Sequence, residues 1–168
     1  MAVKLIKKGK PITLEQLQSI EQLLGGKLPS DFKNFLMENN GGEPEINEFD
    51  IPDLKSGSGV SQFLSADEII NKKESMKERF VDEAWPIAQA EGGNYICLVT
   101  GKKSGIYYWE HESEAEEGRP ANFDNLFKVA DTFSHFFDAL KKFDISKNNL
   151  KPGQVKKVWV DPDFKPEF

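Results

Sequence analysis

The residues best suited to metal chemistry in this sequence are three neighbours, Glu110, His111 and Glu112. Carboxylate and imidazole groups bind divalent cations when several of them converge on one point. We expect these three residues to lie on a β-strand, where successive side chains point to opposite faces of the sheet. Glu110 and Glu112 would then face one side and His111 the other, so the sequence predicts neither a metal site nor a cofactor.

Other groups that commonly take part in catalysis are few. The chain has one cysteine, Cys97, and its second histidine is His135. Cys97 alternates with Tyr95 and Val99, a pattern typical of a small buried residue rather than a reactive nucleophile. His135 lies off the apolar stripe of its predicted helix, and we expect it to face solvent. The sequence therefore predicts no catalytic residues.

Two glycine-containing segments resemble phosphate-binding loops, Gly92-Gly93 and residues 101–105. Phosphate-binding loops lead into the N-terminus of a helix. Both of these segments are instead flanked by short apolar runs typical of strands, and glycine is frequent in the turns between strands. We therefore predict that they are turns.

The charges are unevenly distributed. The formal net charge is −6, residues 43–53 carry five acids and no base, and residues 110–124 carry six acids against one arginine. Residues 1–12 hold four lysines and no acid, and residues 141–168 hold seven lysines against four acids. Dense acidic segments attract basic surfaces and repel nucleic-acid phosphates and anionic lipids. The sequence thus favours a basic protein partner over nucleic acid or membrane.

The two acidic segments and the strand beside them provide the predicted partner-binding residues. Because neighbouring strand residues face opposite sides, one of Tyr107, Tyr108 and Trp109 should be near solvent, and Tyr108 is a candidate aromatic anchor. The alternative, that the acids are only a solvated surface, is left open. The predicted set is Glu43, Glu45, Glu48, Tyr108, Glu110, Glu112, Glu114, Glu116 and Glu117.

Length and composition predict how many domains the chain forms. A chain of 168 residues, 38% of them hydrophobic, suffices for one domain over residues 1–168. We expect residues 1–11 to form a basic N-terminal arm and residues 149–168 a C-terminal extension. A single cysteine and the absence of a long apolar run indicate a cytoplasmic protein.

Capping residues and apolar periodicity predict four helices. Thr13 and Ser65 each precede a Gln or Glu by three residues, Pro29 suits a first helical turn, and Thr132 or Asp131 begins a phenylalanine-rich helix. The third helix should continue through Phe80. The apolar residues expected on these helices are Leu14, Leu17, Leu24, Phe32, Phe35, Leu36, Ile69, Ile70, Met76, Phe80, Phe133, Phe136, Phe137 and Leu140.

Short β-type runs occupy residues 85–88, 95–100, 106–111 and 126–130, with edge strands expected at 46–51 and 60–64 around a turn at 57–59. Residues 155–160 could add one more strand. Because helices and strands do not alternate regularly, the sequence predicts an α+β fold with one mainly antiparallel, twisted sheet flanked by about four helices.

The ordered set of motifs resembles the SUKH superfamily, which includes a fungal regulator of cell-wall assembly and many bacterial immunity proteins of polymorphic toxin systems. Family members often carry an acid before the Gly-Gly turn and another after the following strand, where this chain has Ala90 and Thr100. The matching pieces are Leu28-Pro29 with Phe32, Phe35 and Leu36, then Asn40-Gly41-Gly42, Pro86-Ile87-Ala88, Gly92-Gly93-Asn94, residues 106–111 (IYYWEH) and Val129-Ala130-Asp131.

This resemblance implies an α+β protein that has no catalytic residues and acts by binding a partner, often a cognate toxin. We accordingly predict a non-enzymatic bacterial immunity protein that neutralises a toxin by masking it, the toxin being basic and nuclease-like. The alternative is a regulatory or scaffold protein of the same superfamily that binds an endogenous protein.

Overall fold

A computed structural model describes residues 3–142 as four α-helices and two antiparallel sheets. The predicted single-domain α+β architecture with a mainly antiparallel sheet is confirmed. In chain order the elements are β1 (Leu5–Ile6), α1 (Leu14–Leu24), α2 (Ser30–Asn39), β2 (Glu43–Pro44), β3 (Glu48–Ile51), β4 (Ser56–Phe63), α3 (Ala66–Ser75), β5 (Ala84–Ala90), β6 (Tyr95–Val99), β7 (Gly105–Trp109), β8 (Leu126–Ala130) and α4 (Phe133–Asp138).

The main sheet is a meander of six strands in the order β3-β4-β5-β6-β7-β8, and it is strongly curled. Phe49 on β3 and Tyr108 on β7 are four strand spacings apart, which would separate them by about 19 Å in a flat sheet. Their ring centroids are only 6.0 Å apart. The sheet therefore folds over on itself, and β3 comes to lie close to β8.

Both faces of the curled sheet are covered. The concave face carries Ile96 and Tyr108 and packs against aromatic side chains of α2 and α4, such as Phe35 and Phe133, whose ring centroids are 4.8 Å apart. The convex face carries Cys97 and Trp109 in a second, smaller apolar cluster. Residues that follow α3 cover this second cluster, so the middle of the sheet is closed to solvent.

Helix boundaries follow the capping signals closely. Thr13 and Ser65 each form a complete capping box with the residue three positions later, and the Thr132 hydroxyl accepts a hydrogen bond from the backbone N–H of His135. Pro29 lies at the N-cap of α2 rather than in its first turn. The predicted buried residues Phe32, Phe35 and Leu36 of α2 are confirmed.

The turn after α2 joins the helical layer to the sheet. Asn40 has left-handed backbone angles (φ 45°, ψ 54°) and is buried. Its side-chain amide donates to the carbonyl of Lys10 at 2.6 Å, and its side-chain oxygen accepts from the N–H of Ala66 at 2.9 Å. Gly42 then exchanges two backbone hydrogen bonds with Phe63. One residue thus holds the N-terminal segment, the end of α2 and the start of α3 together.

Several sequence predictions about the helices need correction. Leu14 is predicted in the buried stripe of α1 but is 71% exposed, because the buried side of the helix is formed by Leu17, Ile20 and Glu21. Helix α3 ends at Ser75, so Phe80 reaches the second cluster from a turn rather than from a continuing helix.

The strand predictions also need correction. Residues 57–59 lie inside β4 and not in a turn, since the chain already reverses at Pro52–Leu54, with Lys55 in a left-handed conformation. Strand β4 is interior, between β3 and β5. Strand β7 ends at Trp109, two residues before the predicted end.

Some predictions concern the chain termini. The predicted basic N-terminal arm, residues 1–11, includes β1, which pairs with β2 and has a buried Leu5. The strand predicted at 155–160 and the C-terminal extension at 149–168 lie outside the described residues.

Replacing Asn40 with alanine should destabilise the protein strongly. The change removes two buried hydrogen bonds and leaves a residue with a Cβ but no polar side chain in a left-handed conformation, so we expect a loss of about 2–4 kcal/mol in the free energy of unfolding. Urea denaturation followed by circular dichroism measures this loss. Asn34→Ala, at an exposed position of the same helix, is the matched control and should change stability little; equal effects of the two variants would contradict the assigned role.

Candidate functional site

An acidic surface lies where the curl of the sheet brings β3 close to the end of β7. It consists of Glu48, Glu91, Glu110 and Glu112, and we refer to these four residues as the acidic rim. Glu48 pairs with Gly59 in the sheet, and a Cβ placed on Gly59 would be 3.0 Å from a carboxylate oxygen of Glu91. The Glu48 and Glu91 side chains therefore lie over the same part of the sheet.

Asn94 links the turn that carries Glu91 to the segment that carries Glu110 and Glu112. Its side-chain amide donates to the carbonyl of Glu91 at 2.7 Å, and its side-chain oxygen accepts from the N–H of His111 at 2.9 Å. The turn that carries Glu91 is thereby tied to the segment that carries Glu110 and Glu112. This link holds the backbone of the two segments side by side although they are far apart in sequence.

Around Glu48 the neighbouring carboxylates outnumber the neighbouring ammonium groups. Partial burial raises the pKa of the Glu48 carboxyl, and the neighbouring carboxylates of Glu91 and Asp50 raise it further, while Lys141 acts in the opposite direction. A raised pKa means that ionised Glu48 is less stable here than in water. A cation placed beside it would be stabilised by the same field.

Tyr108 lies near Glu110 and Glu112 and is not an exposed anchor. It is 5% exposed, and burial is the main cause that raises the pKa of its hydroxyl, although hydrogen bonding to Ser58 and Asn94 opposes this shift. The prediction that one of Tyr107, Tyr108 and Trp109 is near solvent is wrong, since all three are buried. The alternation along β7 is as expected, but both faces of the sheet are covered.

A groove of about 680 Å³ runs along the other side of the 110–125 loop, between residues 77–83 and residues 114–121. Its lining includes apolar side chains such as Phe80, Val81 and Pro120. Its charged residues are six acids and three bases, namely Glu78, Asp82, Glu83, Glu114, Glu116 and Glu117 against Lys77, Arg79 and Arg119. The groove is therefore acidic as well.

A bidentate ion pair joins the two walls of the groove, since Arg79 and Glu114 both line it. The guanidinium of Arg79 donates to both carboxylate oxygens of Glu114 at 2.7 Å, and these hydrogen bonds raise the pKa of Arg79. The same guanidinium lies 5.2 Å from the ring centroid of Trp109. The indole N–H of Trp109 is buried and has no hydrogen-bond acceptor among the described residues. The Arg79–Glu114 ion pair thus lies against the ring of the buried Trp109.

Lys73 fixes the wall of the groove formed by residues 77–83. Its ammonium donates to the backbone carbonyls of Val81, Asp82 and Ala84 at 2.9, 3.0 and 2.8 Å. It also lies 5.3 Å from the ring centroid of Trp85. Burial lowers the pKa of Lys73, and the nearby carboxylates of Asp82 and Glu83 oppose that shift. These three hydrogen bonds from one ammonium group fix the backbone path of residues 81–84, which lead into β5.

The predicted partner-binding residues fall into three groups. Within the acidic rim, Glu48 lies near Glu91, and Glu110 and Glu112 lie near Tyr108, whereas Glu114, Glu116 and Glu117 line the groove. Glu43 and Glu45 lie at the two-stranded sheet, where Glu43 pairs with Lys7 at 3.0 Å and Glu45 is exposed.

Sequence reasoning missed four residues of these surfaces: Glu91, Asn94, Arg79 and Lys73. Glu91 and Asn94 flank the Gly92-Gly93 turn, and that position beside a glycine turn between strands was a usable signal for the first two. No sequence signal marks Lys73 or Arg79, because their partners are backbone carbonyls or a residue 35 positions away.

The residues considered for metal binding or catalysis lie in different parts of the fold. Glu110, His111 and Glu112 follow β7 in a loop instead of lying on the strand, and within residues 3–142 no group of three His, Cys, Asp or Glu side chains could hold a metal ion. Cys97 is buried, as predicted, and burial raises the pKa of its thiol. His135 is exposed, as predicted. No helix in the described part of the chain is long and apolar enough to cross a membrane.

Comparison with known proteins identifies relatives across most of the chain. The sequence model of the SMI1 / KNR4 family (SUKH-1) matches residues 11–139. The SPbeta prophage-derived uncharacterized protein YokK of Bacillus subtilis (strain 168) is 27% identical over 76% of this chain and 74% of its own length. The uncharacterized protein YnaB of the same strain is 26% identical over 86% of this chain and 84% of its own length.

Replacing Lys73 with methionine should loosen the groove wall. Methionine keeps much of the apolar stem but donates no hydrogen bond, so three carbonyls lose a charged donor and we expect a loss of about 1.5–3 kcal/mol in unfolding free energy. Hydrogen exchange at residues 77–84 should increase more than elsewhere. Lys77→Met is the control, since Lys77 only pairs with Glu74 at 3.9 Å on the surface; the prediction fails if both variants change exchange in residues 77–84 equally.

Replacing Glu48 with glutamine should stabilise the protein at neutral pH. The pKa of Glu48 is raised on folding, so the native state binds more protons than the unfolded state just above pH 4.5, and wild-type stability falls as the pH rises through this window. Glutamine does not titrate, so the advantage of the variant should shrink on acidification below pH 4.5. Denaturant unfolding across this pH range measures the difference. Glu45→Gln is the control, and an identical pH-dependent difference there would assign the effect to net charge alone.

Proposed function

Because the chain belongs to the SMI1 / KNR4 family (SUKH-1), we propose that it is a non-enzymatic binding protein, a bacterial immunity protein that neutralises a cognate toxin by masking it. The prophage origin in the name of one relative is compatible with this proposal. The toxin and this protein would meet in the cytoplasm, where a toxin must be neutralised in the cell that makes the immunity protein.

The observation that carries the proposal is the combination of the acidic rim with the acidic groove on either side of one loop. Between them they gather carboxylates from β3, from the turn before β6 and from residues 110–121. Such a field attracts a basic protein surface, raises the rate of association and repels nucleic acid. A nuclease-like toxin fits this description, because an enzyme that acts on nucleic acid needs a basic surface to bind phosphate groups.

The two surfaces would contribute differently to binding. The rim carboxylates lie on fixed turns, and Glu48 is partly desolvated before any partner arrives, so a lysine or arginine placed there would form a strong contact. The groove offers apolar area from Val81 and Pro120 together with charge. We expect the rim to set the rate of association and the groove to hold a side chain or loop of the partner.

The first experiment identifies the partner. The gene for this chain should lie beside a gene for a large protein whose C-terminal domain kills cells, and co-expression of this chain should restore growth. If no toxic neighbour exists, the alternative holds: a regulatory or scaffold protein of the same family that binds an endogenous protein.

Reversing the rim charges should then slow binding to that toxin domain. For Glu48→Lys, Glu91→Lys and Glu112→Lys combined, we expect an association rate lower by about tenfold or more at low salt, with weaker salt dependence, because electrostatic steering is lost. Stopped-flow or surface plasmon resonance measures the rates, and growth rescue should fail in parallel.

The matched control reverses three exposed acids on the helices, Glu15→Lys, Glu38→Lys and Asp67→Lys. It produces the same change in net charge at a distance from the rim. Equal slowing by both triple variants would show that total charge matters and the acidic rim does not. Circular dichroism of each variant confirms that the fold is retained.

A further inference from the structure

The groove between residues 77–83 and residues 114–121 carries more negative charge than its own bases neutralise. Each of its three basic residues already has a carboxylate partner on the protein. The distances from the basic nitrogen to the carboxylate oxygen are 3.9 Å for Lys77 and Glu74, 2.7 Å for Arg79 and Glu114, and 3.2 Å for Arg119 and Glu116. The bases of the groove are therefore engaged before any partner arrives.

Four other carboxylates of the groove have no such partner. Within the described part of the chain, none of these side chains forms a hydrogen bond or an ion pair. They belong to Glu78, Asp82, Glu83 and Glu117, and all four residues are exposed. Three of them lie on the wall formed by residues 77–83, and Glu117 lies on the opposite wall. A cation that enters the groove would therefore meet carboxylates from two sides.

The groove also has apolar surface that suits the stem of a long basic side chain. Val81 and Ala115 are half-buried, and Pro120 is exposed. Long basic side chains lay their methylene stems along apolar surface while the charged head stays among polar groups. The volume of about 680 Å³ lies within the range of roughly 300–1,000 Å³ that is common for ligand pockets. The groove can thus hold a basic residue together with its neighbours in a chain.

The existing ion pair shows how this surface binds a guanidinium. Arg79 donates two hydrogen bonds of 2.7 Å to the Glu114 carboxylate, and the ring centroid of Trp109 lies 5.2 Å away. A guanidinium presents five N–H donors in a planar fork, whereas an ammonium acts as a point charge. A fork can donate to carboxylates on two sides at once. Arginine therefore matches the two acidic walls better than lysine does.

We propose that the groove binds an arginine-bearing loop of the partner protein. The guanidinium would lie between the carboxylates of the two walls, and an apolar neighbour of the arginine would rest on Val81 and Pro120. This inference rests on the proposed function for the identity of the protein that supplies the loop. It gives the groove a role separate from that of the acidic rim: the rim steers association over a distance, and the groove selects arginine at short range.

Titration of the isolated protein with a short peptide tests this assignment without a toxin. The probe is the acetylated and amidated peptide ALRLA, and the matched peptide carries citrulline, which has the shape of arginine without its charge. We expect ¹H–¹⁵N chemical-shift changes at residues 77–83 and 114–121 and at the indole N–H of Trp109. The arginine peptide should bind about tenfold or more tightly than the citrulline peptide, because charge-assisted hydrogen bonds are lost in the latter.

Three results of this titration would overturn the proposal. They are equal affinity of the two peptides, no shift change with either peptide, and shift changes confined to Glu48 and Glu91, which would place the arginine at the acidic rim. A third peptide, ALKLA, should bind more weakly than ALRLA. Equal binding of these two would contradict the selection of arginine by its planar fork.

Neutralising the groove provides the corresponding test on the protein. The combined variant Glu78→Gln, Glu83→Gln and Glu117→Gln should weaken binding of ALRLA by about tenfold or more. Its three positions are exposed and unpaired among the described residues, so the fold should be retained. The matched control is Glu15→Gln, Glu38→Gln and Asp53→Asn, which makes the same change in net charge at exposed positions outside the groove. Equal weakening by both triple variants would contradict binding in the groove.

The peptide titration and the search for a toxin fail independently. If the peptide does not bind in the groove, a toxin can still bind through the acidic rim, and the proposed function stands. If no toxic neighbour exists but the groove selects arginine, the proposed function fails, and the arginine-bearing loop belongs to an endogenous protein.

Discussion

The constraint on which the fold depends is the tight reversal at Asn40-Gly41-Gly42. The backbone there has positive φ at three successive residues, and a Cβ on Gly41 would lie 2.8 Å from both the carbonyl oxygen of Phe63 and the amide nitrogen of Ser65. Only glycine allows the end of α2 to approach the junction of β4 and α3 so closely. The helical layer is thereby set against the concave face, and the register of β4 is fixed at its end.

The curl of the main sheet determines where binding surfaces can form. Because helices cover the concave face and the 76–81 segment covers part of the convex face, the aromatic residues of β7 are buried in two clusters. Polar and acidic groups are left to the turns, the strand ends and the edge strand. The same curl brings Phe49 and Tyr108 together although their strands are far apart in the sheet order. A flat sheet of the same sequence would separate them.

Local signals predicted the helices well and the surfaces poorly. Capping boxes at Thr13 and Ser65, and the aromatic spacing of α2, depend on residues within one or two turns, so sequence alone identifies them. The alternation along β7 was also visible, but whether both faces of a strand are covered depends on elements elsewhere in the chain. For this reason Tyr108 was predicted as an anchor and proved to be buried. The contacts of Lys73 and Asn94 have no local pattern at all.

The hydrogen bonds from Lys73 to the loop after α3 also determine which side chains of that loop can be substituted. An ammonium that binds main-chain carbonyl oxygens imposes a path on residues 81–84 whatever side chains those residues carry. Outward-facing positions such as Asp82 and Glu83 can therefore exchange their side chains while the backbone course is preserved. Such a scaffold accepts changes one position at a time without refolding the domain.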